Sequence, residues 1–108
     1  MPGNTGLPSA CAVFMAIGFP VSALAQANSA LALDKGCYSC HGNPPRKSAP
    51  TFEQLAANYA QYQGQTQTAA TLADKLHKEH VFGGIRAHEQ LSPENALLLI
   101  RWIIDGAK

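Results

Sequence analysis

The sequence predicts an all-α chain. Three features carry that expectation. Apolar residues recur at helical spacing in several separate stretches, helix-capping residues stand ahead of two of them, and no stretch alternates apolar and polar residues as a strand would. "NSALALDKGC" reads as a short helix running into the motif that follows, with Asn28 or Ser29 as its cap. "GNPPRKSAP" is a loop, because Pro44, Pro45 and Pro50 interrupt any regular structure. "TFEQLAANYAQY" has Thr51 as N-cap and Phe52, Leu55, Ala56 and Tyr59 on one face. "TQTAATLADKLHKEH" places Ala69, Leu72, Ala73 and Leu76 together. "VFGGIRAHEQL" reads as a loop with two glycines. "SPENALLLIRWIIDG" is the clearest helix: Ser92 caps it, Pro93 takes its first position, Glu94 favours its start and Gly106 ends it. There is no internal repeat.

The chain divides into a leader and one domain. The run "ACAVFMAIGFPVSALAQ" is apolar and uncharged, and Ala23, Leu24 and Ala25 offer the small-residue spacing that a signal peptidase accepts. Residues 1–25 are therefore expected to be a signal peptide cleaved after Ala25, although no Lys or Arg precedes the apolar run. A membrane anchor is the rival reading. Pro20, the small residues and the lack of a basic stop-transfer flank stand against it. Ser9, Ala10 and Cys11 resemble a lipoprotein signal but lie too close to the start. Cleavage leaves residues 26–108, one domain's worth.

Eight Lys and Arg against seven Asp and Glu give a net charge of +1. They are scattered, so neither a nucleic-acid stripe nor an acidic tail is present. Cys11 leaves with the leader, and Cys37 and Cys40 remain. A domain this short buries a thin core and ordinarily needs a disulfide, a metal or a cofactor.

Those two cysteines sit in "GCYSCHGN", and Cys-x-x-Cys-His is the pattern of a c-type haem attachment site. On one helical turn Cys37 and Cys40 point to the same side, where their thiols can add to the two vinyl groups along one haem edge. His41 follows directly and can bind the iron. Two other readings of the residues stay open. A redox Cys-x-x-Cys would want strands alternating with helices nearby, and a zinc site would want a second ligand pair, for which His77 and His80 could serve.

From "KGCYSCH" through "APTFEQLAANY" and a Gly-containing loop to "LLLIRWIIDG", the chain resembles a small class I bacterial cytochrome c over about residues 27–106. The resemblance implies crossing N- and C-terminal helices around one covalent haem c. Trp102 and Ile103 would then pack near Leu31 and Ala32. It also implies that the carbonyl of Pro50 accepts a hydrogen bond from His41 and fixes its tautomer. The family's usual sixth ligand is a methionine in the loop before the last helix. Here the only methionines are Met1 and Met15, and His88 stands at the corresponding place. His88 is expected as the second axial ligand ahead of His80 and His77, and Arg86 as a partner for a haem propionate.

These residues imply a periplasmic one-electron carrier, or the carrier subunit of a dehydrogenase or oxidase system. It would be a monomer when isolated, not itself an enzyme, and would exchange electrons with redox partner proteins. Arg46 and Lys47 could favour an acidic partner, although solvation is the commoner role of two loop charges. The alternative is a haem-based ligand sensor or peroxidase-like protein with an open or displaceable sixth site.

Overall fold

The computed structural model describes residues 21–108, with side chains from Asn28 onward. Among them every regular element is helical, and there are no strands. The expected leader lies mostly outside the described residues, and the first helix, α1 (Val21–Asp34), runs through its expected cleavage point at Ala25. Asn28 and Ser29, expected as caps, lie inside α1 instead.

Nor does α1 run into the Cys-x-x-Cys-His motif. It stops at Asp34, and Gly36 takes a φ of +76°. The N–H of Gly36 bonds back to the Leu33 carbonyl and that of Cys37 to the Ala32 carbonyl, at 3.1 and 3.0 Å. This is a glycine-terminated helix end, in which the left-handed residue satisfies carbonyls that the helix leaves free. It turns the chain so that Cys37 packs against the core beside Ala32. The motif forms its own turn, α2 (Tyr38–His41).

After an irregular stretch come α3 (Phe52–Tyr59) with a 3-10 turn at Ala60–Tyr62, and α4 (Thr66–His77). The Thr51 hydroxyl accepts from the Gln54 N–H at 3.0 Å, while the Gln54 side chain accepts from the Thr51 N–H at 2.9 Å. That reciprocal pair is a complete capping box. The segment expected as a loop contains a short helix, α5 (Arg86–Glu89). Four residues around a single turn are too few for a hydrophobic period, so the pattern "GGIRAHEQL" gave no helical signal. The last described helix, α6 (Pro93–Ile104), starts as expected, with the Ser92 hydroxyl accepting from the Asn95 N–H at 3.0 Å and Pro93 in its first turn. Gly106 ends it by the same device as Gly36.

Helix α6 is the hub: α1, α3 and α4 all pack on it. Its Ala96, Leu99, Ile100, Trp102, Ile103 and Ile104 are buried together with Ala32, Phe52, Ala69, Ala73 and Leu91. Four of these eleven are alanines, so the core is thin. No polar or charged residue is buried among the described residues.

Candidate functional site

The site is built from two arms. The first is the motif turn and the segment after it. Cys37 precedes α2 with helical backbone angles, and the N–H groups of Cys40 and His41 both bond to its carbonyl. Cys37 and Cys40 therefore lie on one turn, both half-buried and both free thiols. Burial pushes the Cys37 thiol above its usual range, against a backbone hydrogen bond that lowers it. Directly after His41 the chain reverses at Gly42. A Cβ there would stand 2.6 Å from the Tyr38 carbonyl oxygen, a backbone atom that cannot step aside.

His41 is fixed by two neighbours. Its Nδ1–H donates to the Pro50 carbonyl at 2.6 Å, which leaves Nε2 with its lone pair free. Its ring lies 5.4 Å from that of Phe52, centre to centre. Phe52 in turn meets Tyr38 and Trp102 edge-on at 5.0 and 4.9 Å. The aromatic cluster thus ties the histidine to α6 and the core. Phe52 was legible in sequence as a core residue but not as a neighbour of His41. The signal was its place two residues after Pro50: a carbonyl that holds His41 brings the start of α3 against the same ring.

The second arm is α5 with the residues before it. The His88 ring faces that of His41, 6.1 Å centre to centre and 10° from parallel. That is too far for a face-to-face stack. Two imidazoles bound through Nε2 on opposite sides of one metal ion, at roughly 2 Å each, have ring centres about 6 Å apart. The ring-centre spacing and the free Nε2 of His41 are what an iron held between the two histidines would require, and the two thiols one turn away could hold a haem. Burial lowers the proton affinity of His88, and nearby His41 lowers it further, against an opposing pull from Glu89. That shift favours the neutral imidazole, the form that binds a metal.

Neither of the other two candidates faces His41, although His80 lines the same small cleft as His88. His77 ends α4 with Nε2 3.8 Å from Asp74. His80 lies beyond that helix, largely exposed, with Nδ1 3.7 Å from Oε2 of Glu89. Cys37 and Cys40 form no cluster with them, nor is any group of three or more metal-ligating side chains assembled among the described residues. Arg86 opens α5 with an exposed side chain. Glu89 had no place in the sequence reading. Its Oε2 is buried without a hydrogen-bond partner, against Gly84, where a Cβ would overlap the carboxylate.

No known protein family, curated protein or solved structure matches the chain. No helix among the described residues is long and apolar enough to cross a membrane.

Proposed function

We propose that the chain carries one haem c, joined through Cys37 and Cys40 and ligated by His41 and His88, and that it serves as an exported, periplasmic one-electron carrier. The observation that supports this most directly is the near-parallel pair of imidazoles 6.1 Å apart, one of them immediately after the paired cysteines. When bound, the haem supplies a ferric–ferrous couple. The protein's residues do the rest. The two thiols hold one edge of the group. Pro50 keeps the proton on Nδ1 of His41, so that Nε2 is the ligating atom, and makes that ring a better donor. With histidines on both faces no coordination position is left for a substrate, which favours electron transfer between redox partner proteins over catalysis.

The absorption spectrum of the purified protein tests this reading. Both oxidation states should be low-spin, with no sulfur-to-iron band in the ferric form. Acid-acetone should extract no haem, and the intact mass should equal the chain from Gln26 plus one haem. A haem-free or zinc-containing mass would overturn the proposal. Retention of residues 1–25 would remove only the cleaved leader.

A second reading, a ligand sensor or peroxidase-like protein, draws support from the slight anchoring of the His88 arm. Residues 78–87 are all exposed, so His88 could be displaced by a small ligand. Fast, tight carbon monoxide binding by a high-spin ferrous form would favour it over the closed carrier.

A further inference from the structure

We propose that Val81, Phe82 and Ile85 form the wall that covers the His88-side face of the haem, and are not a docking surface for another protein. The inference rests on the haem reading above. These side chains are 89%, 90% and 56% exposed, the largest apolar exposure on any one segment of the described chain. Three neighbouring apolar side chains bared to this degree leave a patch of the size that marks a binding surface.

Position identifies the occupant. The Ile85 carbonyl accepts from the N–H groups of His88 and Glu89, at 3.0 and 3.1 Å, so Ile85 opens the turn that carries His88. Residues three apart on such a turn lie on one side of it, and Ile85 and His88 line the same small cleft. The segment before Ile85 doubles back tightly. Gly83 has a φ of +74°, and a Cβ on Gly84 would stand 3.1 Å from the Cβ of His80. Val81 and Phe82 are therefore the tip of a tight loop beside α5, with Lys78, Glu79 and Arg86 exposed around them.

The two sides of the gap between the histidines are also unequal. On the His41 side the apolar wall is already packed: Phe52 is 9% exposed and touches His41. On the His88 side the matching apolar groups have nothing on them. A flat, largely apolar disc held between the two imidazoles accounts for both sides at once. With it in place, Phe52 would stand on the side of one face and Val81, Phe82 and Ile85 could fold onto the other, removing their surface from water.

Proton NMR of the reduced holoprotein tests the wall. In a low-spin ferrous haem the porphyrin ring current shifts nearby protons, so the Ile85 methyl and Phe82 ring signals should be displaced far from their ordinary ranges. Leu33, 68% exposed on α1, serves as the control and should show no displacement. In parallel, the double variant Phe82→Ser/Ile85→Ser should keep its thioether-bound haem but bind cyanide about tenfold faster, whereas Leu33→Ser should not. Unshifted Ile85 and Phe82 signals in a chain that does hold haem would overturn the wall alone. So would signals that move only when a redox partner is added, which would make the patch a docking surface. A purified chain without covalent haem would overturn the reading beneath it as well.

Discussion

The two histidines that face one another are held in very different ways, and the difference shows which half of the site is built and which is only placed. His41 has a hydrogen bond to Pro50, a turn closed onto Cys37, a glycine beside it where a Cβ would strike a backbone oxygen, and an aromatic contact leading into α6. His88 sits on a four-residue helix after a loop of exposed residues, next to a buried carboxylate oxygen that has no hydrogen-bond partner. A side chain fixed by several neighbours holds its geometry when one is lost, whereas one carried on a short exposed turn does not.

The sharpest way to break the contrast is to remove each ring in turn. His41→Ala should abolish stable haem incorporation, measured as covalent haem per chain. His88→Ala should keep the haem, turn the iron high-spin and admit carbon monoxide, both read by absorption. His88→Met, if it restores a low-spin iron, should raise the reduction potential, because methionine favours the reduced state relative to a second imidazole. Equal loss of haem in both alanine variants would mean that the arms are equally essential. His80→Ala and His77→Ala should leave the spectrum unchanged.

The glycines give the next largest effect. Gly42→Ala drives a Cβ into the Tyr38 carbonyl oxygen and should cost about 1–3 kcal/mol, seen as a lower midpoint in urea. Gly84→Ala meets mainly the end of the Glu89 side chain, which can swing away, so the midpoint should move little. Its mark should be spectral instead: a larger high-spin fraction as the His88 turn shifts.

Thr51→Ala removes the cap of α3 just beyond Pro50 and should cost about 1 kcal/mol, again by urea unfolding. A spectrum that stays low-spin despite that loss would confirm that the His41 arm tolerates damage.

The smallest expected effect is on acidity. In the haem-free chain the folded state holds His88 below the usual histidine range, so the unfolded chain binds its proton more readily. The stability this contributes is present above the unfolded value of about 6.5 and declines as pH falls through it towards the lower folded value. His88→Gln should flatten that decline in a series of urea midpoints; an unchanged slope would assign it to other groups.

The contrast also explains what the sequence could reveal. The His41 arm is local: the motif, Pro50 and Thr51 lie within fifteen residues, and each announces itself by residue type and spacing. Ser92, Pro93 and Gly106 marked α6 for the same reason. The His88 arm was legible only as an expected ligand in a loop. Its single helical turn is shorter than any apolar period. The Glu89–Gly84 packing depends on how the loop doubles back, which no spacing encodes. The early end of α1 was misread because the apolar pattern continues up to Asp34 while Gly36, a single residue, decides where the helix stops.

The central position of α6 also sets the order in which the site can be made. Every helix that packs on it precedes it in the chain, and α1, α3 and α4, of 14, 8 and 12 residues, are about at or below the length at which a helix persists alone in water. While synthesis has reached Cys37–His41 but not Pro93–Ile104, there is no core to bury Cys37 and no Trp102 behind Phe52. The thiols are then at their most accessible. Thioether bonds to the proposed haem would accordingly form most readily on a still unfolded chain, directed by five adjacent residues before the pocket around them exists.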